Sequence, residues 1–311
     1  MLLDLVDVFG ARRLGGNPVA VVRDADALDD AAMIALTRWL GYTQVAFVVP
    51  PTDPAADLGL RFFYPDGELP FGGHPALAAA AAWLADGHTP AWPGTVVLQC
   101  GTGLVDVRIE GDGGRLAYQA PPLIRSGPLS SEERAESVRL TNINISAVVD
   151  AVQVVNKLPW RLLRLRSAAD VLMADANARV PFVRANIGLL GPWAEGDPAA
   201  DGAQWELRGL FANEGRVLLE DRVTSSLSAA VAQYLYHKGL EQGEFVIAQG
   251  RRVGAEGRTT ISRADSDEDG ADGGTRAIWI SGAVAMVACG AALTPRRDAS
   301  QVVESVTVPA V

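Results

Sequence analysis

The hydrophobic pattern of this chain switches between two periods along almost its whole length. The runs DLVDVFG and PVAVVRD read as a strand pair, with GARRLGGN as the loop between them. In DDAAMIALTRWLG the period lengthens to that of a helix. Met33, Leu36, Trp39 and Leu40 form an apolar stripe, Asp29 or Asp30 stands at the cap and Gly41 at the end. TQVAFVV and LGLRFFY return to strand, PDGE is a turn, LPFGG a loop, and Pro75 opens an alanine-rich helix. TVVLQC and LVDVRIE predict a hairpin about Gly101 and Gly103, and prolines interrupt the pattern of LAYQAPP. In the second half WRLLRLRSAADV, FVRANIGLL and QWELRGLFA read as strands. A helix is predicted from about Thr224 to Lys238, followed by strands in FVIAQG, TTISRAD and TRAIWISGAVAMVACGAAL. The acidic, glycine-rich stretches EGDPAADGA and ADSDEDGADGG read as exposed loops.

One internal similarity organises these elements. FYPDGELPFGGHPALAAAAAWL and FANEGRVLLEDRVTSSLSAAVAQYL each carry Phe-x-x-acid-Gly (Phe63 to Gly67, Phe211 to Gly215). Each then has a short loop, one polar residue (His74 or Asp221) and an alanine-rich helix. The pattern points to two related halves sharing a cleft, residues 1–125 and 126–290. Residues 291–311 form a C-terminal tail, with a return to the N-terminal half as one course open to it.

Both helix starts offer the same chemistry. The first amides of a helix lack partners within it, and the dipole favours negative charge, so a carboxylate is welcome there. Gly72 and Gly73 let a ligand approach the backbone, and Pro75 fits the first turn. His74 is then a proton carrier or donor beside a bound anion, or a capping residue. In the second half Thr224, Ser225 and Ser226 can cap the helix or offer hydroxyls to an anion, and Asp221 lies just before them. His88 and His237, at helix ends, read as surface residues.

Composition narrows the function classes. The formal charge of -10 argues against a nucleic-acid partner, and 49% hydrophobic with 21% charged residues is the profile of a globular protein. The longest apolar run is too short for a membrane span, and Asp4 and Asp7 interrupt the N-terminal one, so neither a membrane nor a signal peptide is expected. Two distant cysteines, Cys100 and Cys289, suit a reducing cytoplasm and read as core residues. No metal motif, phosphate loop or dinucleotide fingerprint is present, so neither a metal nor a cofactor is expected.

Taken in order, DVF with GNPVAVV, YTQVAFV, ELPFGGH, VVNKLPWRLLRL, EDRVTSSLSAAVAQYL, AQGRRVGAEGR and ISGAVAMV resemble the PhzF-like family, the phenazine-biosynthesis isomerase group. The resemblance implies an α+β, diaminopimelate epimerase-like fold: two pseudo-symmetric halves, each a curved sheet around a central helix. It also implies proton-transfer chemistry without a cofactor on a small carboxylic acid, and a homodimer. His74 matches the family histidine, Asp221 and Ser226 the aspartate and serine of the second helix start, and Gln249 and Gly250 the family QG. Gly73, Ser225 and Asn17 lie in the matching stretches and join the expected substrate-binding set. Two positions depart. Gly72 stands where cysteine is usual, and Gln44 replaces the glutamate that shuttles the proton. Glutamine does not titrate, yet it still donates and accepts hydrogen bonds.

The expected function is therefore isomerisation of a small cyclic or unsaturated carboxylic acid in secondary metabolism. Asp221 and His74 share acid and base work, Gln44 orients the substrate, and Glu68 is a weaker proton-transfer candidate that can equally be a loop anchor. The alternatives are a dehydration or cyclisation on the same fold, or a non-catalytic binder.

Overall fold

The structure, a computed structural model, describes residues 1–156, 158–175, 186–212, 218–264 and 276–293, with only the backbone of Ala212. Strands β1 (Leu2–Val8) and β2 (Asn17–Arg23) pair antiparallel, from Leu2 opposite Arg23 to Val8 opposite Asn17. Helix α1 (Asp30–Leu40) returns the chain to β3 (Val45–Val49), parallel to β2. Strand β4 (Leu58–Tyr64) runs antiparallel to β3 and folds back as β5 (Gly67–Leu69). After helix α2 (Gly73–Ala85), β6 (Thr95–Cys100) lies parallel to β4 and leads antiparallel into β7 (Gly103–Glu110) and β8 (Arg115–Gln119).

The pairings then recur. After β9 (Arg125–Pro128) and helix α3 (Ser131–Thr141), β10 (Val148–Val155) pairs antiparallel with β9 and with β11 (Pro159–Leu165). Helix α4 (Ala168–Met173) connects to β12 (Ile187–Pro192), parallel to β11; β13 (Trp205–Ala212) is antiparallel to β12 and folds back as β14 (Leu218–Asp221). Helix α5 (Ser225–His237) precedes β15 (Phe245–Gln249), parallel to β13, and then β16 (Gly257–Arg263), antiparallel to β15. The last strand, β17 (Ile278–Ala292), pairs with β16 and β8 through its first residues and with β1 from Val284 onward.

Through β17, strands β1, β2, β3, β4, β6, β7 and β8 close into a ring of eight. Helix α2 touches every one of them. A helix that is apolar on all sides belongs inside a core. Leu77 and Ala76, Ala78, Ala79, Ala80 and Ala82 are all buried, and their small side chains let the ring close on the helix. Larger neighbours such as Phe62, Leu98 and Leu116 fill the remaining space. Burying each of these contributes about 1.5–3 kcal/mol relative to exposure. Helix α5 packs on β10, β16 and β17 and is likewise buried through Leu227, Ala229, Ala230, Val231 and Leu235.

Several expectations need correction. Trp39 leaves the α1 stripe and is 80% exposed, and the buried α1 residues are Met33 and Thr37. The strand read through WRLLRLRSAADV stops at Leu165, because the Ser167 side chain accepts from Asp170 N and starts α4. Helix α3 was not anticipated. Its sequence has no apolar stripe, and its signal is the capping box between Ser130 and Glu133. EGDPAADGA is only partly exposed, because its short turn buries Ala200 and Ala203. Both cysteines lie in strands, but only Cys100 approaches the core, half-buried and packed against it, while Cys289 is exposed. Most of ADSDEDGADGG, the start of FVRANIGLL, Lys157, Gly215 and the tail from 294 lie outside the described residues. Among the described residues no helix is long and apolar enough to cross a membrane.

Candidate active site

Helices α1, α3 and α4 each begin on a side-chain cap, supplied by Asp29, Ser130 and Ser167. The two buried helices do not. Gly72 at the start of α2 has no side chain, and Thr224 at the start of α5 makes no capping bond. These two starts meet: His74 N donates to Ser225 Oγ at 3.3 Å, and the Tyr118 hydroxyl donates to the Ser225 carbonyl at 3.0 Å. The protein therefore brings two positive helix ends together, with Ser225 Oγ taking one α2 amide and neither N-cap residue making a side-chain capping bond.

The Thr224 hydroxyl is engaged elsewhere. It donates to Asp221 Oδ2 at 3.0 Å and accepts from Gln249 Nε2 at 3.0 Å. Gln249 Oε1 accepts from Thr224 N at 3.1 Å, so both ends of this buried amide hold the turn before α5. Gly250 follows at φ +99°, where a side chain would meet the Arg222 carbonyl. From the first half, Asn17 Nδ2 donates to Asp221 Oδ1 at 3.1 Å and to the Val223 carbonyl at 2.8 Å. Arg222 Nε donates to the Gly16 carbonyl at 2.8 Å, so the loop before β2 is fastened to the turn that carries Asp221.

These surroundings set the charge of the site. Burial pushes the Asp221 carboxyl up to about 6, against the pull of Thr224, the Arg222 amide and Asn17. Burial lowers His74 to about 4, so its imidazole is neutral at physiological pH. His74 is 5% exposed, and its Nε2 has no partner among the described residues. The Gln44 Oε1 atom is buried and unpartnered in the same sense. It sits over Gly72, where an added Cβ would stand 2.7 Å from it. Gly73 is pressed against Tyr118, whose hydroxyl oxygen would stand 2.6 Å from an added Cβ.

The structure thus gathers Asn17, Gly73, His74, Asp221, Ser225, Gln249 and Gly250 into one bonded or packed neighbourhood, with Gln44 reaching it over Gly72 and Ser226 in the first turn of α5. Glu68 stands apart. It is exposed and held by Arg61 through bonds of 2.8 and 2.6 Å, which makes it a loop anchor. His88 is exposed beside Trp83, and His237 is exposed at the end of α5. A hollow of about 400 Å³ lies by the far end of α2, lined by Ala81, Leu84, Ala85, Ile109, Val284 and Met286, and contains none of the candidate residues. Sequence reading missed Tyr118, which spans the two helix starts, and Asn156, whose Nδ2 donates to the Ser226 carbonyl at 2.7 Å.

The raised Asp221 carboxyl predicts a pH signature. The folded state holds this proton more tightly than the unfolded chain, so its ionisation costs stability as pH rises from about 4 through about 6. Asp221→Asn is therefore expected to raise the melting temperature relative to wild type near pH 7.5 more than near pH 4. Melts at both values check this, and an equal shift at the two refutes it.

A closed ring of strands around a buried helix, with its start against a second helix start, is consistent with an epimerase-like fold. Within that class the chain belongs to the phenazine biosynthesis-like protein family, whose model matches residues 6–290. It is 31% identical over 175 residues to antisense-enhancing sequence 1 of Schizosaccharomyces pombe, a match spanning 54% of this chain but only 58% of that protein. It is 28% identical over 257 residues to the trans-2,3-dihydro-3-hydroxyanthranilate isomerase of Pseudomonas fluorescens, covering 80% of this chain and 86% of that one. Among solved structures, one described as a predicted epimerase from Pseudomonas aeruginosa is 26% identical, with a TM-score of 0.73 over 94% of this chain and 99% of that chain.

Proposed function

We propose that this protein is an isomerase that moves a proton on a small cyclic or unsaturated carboxylic acid, using its own side chains without a cofactor. The observation that carries the reading is the meeting of two helix starts whose N-cap residues make no side-chain bond, with His74 in the first turn of one and Asp221 just before the other. The free amides of α5, with Ser225 and Ser226, hold the carboxylate. Asp221, with its carboxyl near 6, exchanges protons readily close to neutral pH and serves as the base. Neutral His74 completes the transfer through Nε2, accepting or returning the proton as the double bond shifts. Gln44 orients the substrate, and Gln249 and Asn17 keep Asp221 in place.

The repeated pairings and the two buried helices support a reading of the molecule as pseudo-symmetric halves, each a curved sheet around its helix, dividing near residue 125. A homodimer and a cytoplasmic setting belong to the same proposal, as does a place in secondary metabolism, for which the match to the phenazine biosynthesis-like family speaks. One observation favours a second reading. Gln44 cannot titrate, so a family member built on it can be a binder or catalyse a dehydration or cyclisation governed by positioning.

The test compares wild type and Gln44→Glu in D2O with a panel of cyclic unsaturated carboxylic acids, read by NMR. Wild type is expected to place deuterium into an acid of the panel and to shift its double bond. Exchange by Gln44→Glu alone would show that proton transfer requires the carboxylate and would favour the second reading.

A further inference from the structure

Asn156 lies in the connection between β10 and β11, three residues before Pro159 opens the second of these strands. The matching connection between β1 and β2 leads into Asn17, the first residue of β2, directly before Pro18. The recurring pairing order thus places an asparagine at corresponding corners of the two halves. Asn17 spends its amide nitrogen on Asp221 and Val223, while Asn156 spends its own on the carbonyl of Ser226, in the first turn of α5.

That bond fixes the side chain. With Nδ2 donating to Ser226 at 2.7 Å, the carboxamide cannot flip without setting two oxygens against each other, so Oδ1 is committed as an acceptor. Asn156 is 2% exposed, and Oδ1 has no partner among the described residues. A buried acceptor left unpaired is destabilising, and such an atom beside a ligand site points to a group that arrives with the ligand. Because Oδ1 only accepts, that group must be a donor.

We propose that Asn156 is a specificity-determining residue whose Oδ1 accepts a hydrogen bond from a hydroxyl or amino group of the bound acid. The inference rests on the carboxylate site proposed above. It adds that the acid bound at the start of α5 is chosen for a donor placed to reach Asn156, and that an acid lacking one leaves the acceptor unpaired. A site built to bond a donor discriminates against the analogue without it, because its own buried group is then stranded.

Isothermal titration with benzoate, 2-hydroxybenzoate and 3-hydroxybenzoate tests this on wild type, Asn156→Leu and, should the leucine not be accommodated, Asn156→Ala. Wild type is expected to bind one hydroxybenzoate about tenfold more tightly than benzoate, the worth of one neutral hydrogen bond. In the variants that preference disappears, benzoate affinity holds, and the ligand-free melting temperature stays close to wild type. A variant that weakens all three acids alike, or keeps the preference, overturns the proposal and leaves Asn156 a structural residue. Failure of wild type to bind any of the three overturns the carboxylate site, and the proposal with it.

Discussion

Asp221→Asn is expected to lower proton exchange into a bound acid by about a hundredfold to ten-thousandfold, the range carried by a positioned general base. The change keeps the shape of the side chain, and its neighbours Asn17, Thr224 and Gln249 can still hold the turn. Binding of the acid should therefore survive while turnover is lost, a fall in kcat at nearly constant Kd. In wild type the activity should rise with pH through about 6 as the carboxyl ionises. The variant's residual activity should lack that rise. Near-normal turnover in the variant would remove Asp221 from the reaction and leave His74 to be tested alone.

Gly73→Ala is expected to damage both fold and function through one methyl group. Its Cβ would stand 2.6 Å from the Tyr118 hydroxyl oxygen and still closer to the ring, with Tyr118 itself buried between the helix starts. Something must move, and overpacking of this kind costs about 1–3 kcal/mol. If the ring yields, the bond from its hydroxyl to the Ser225 carbonyl goes with it; if the backbone yields, His74 shifts from Ser225 Oγ. A displacement of about 1 Å at a reacting group costs on the order of a hundredfold in rate. Turnover should therefore fall by about that factor in protein that still folds. Tyr118→Phe in the Gly73→Ala background should not restore it, because the ring carbons still collide. A Gly73→Ala protein with wild-type melting and turnover would show that the helix starts are not tightly registered.

Much of this arrangement is legible in the residues because it is local. PFGGHP announces a helix start, and the β-branched apolar run of PVAVVRD announces a strand, whatever surrounds them. The likeness of the two helix approaches exposes the internal repetition before any pairing is known. Helix α3 was missed because its stability comes from its ends, a capping box and an αL residue at Asn142, and not from an apolar stripe. Trp39 obeys the helical period and still lies outside, since period reports a face and not what covers it. Tyr118 and Asn156 could not be read as site residues. Tyr118 sits in an ordinary strand, and Asn156 is recognised only once the corner at Asn17 has a counterpart. Gln249 shows the same limit differently: its position was legible, but its attachment to Thr224 and Asp221 depends on contacts far apart in sequence.

The single strand β17 has a consequence for how this protein can be cut. Its first residues serve β16 and β8, and its remainder serves β1. A gene fragment ending before Ile278 would leave the ring with seven strands and the outer edges of β8 and β1 as open templates for strands of other molecules. The ring around α2 is therefore not a module that evolution or an engineer can express without residues 278–292. The ring is finished only when residues 278–292 have been made, so its closure waits on the synthesis of β17.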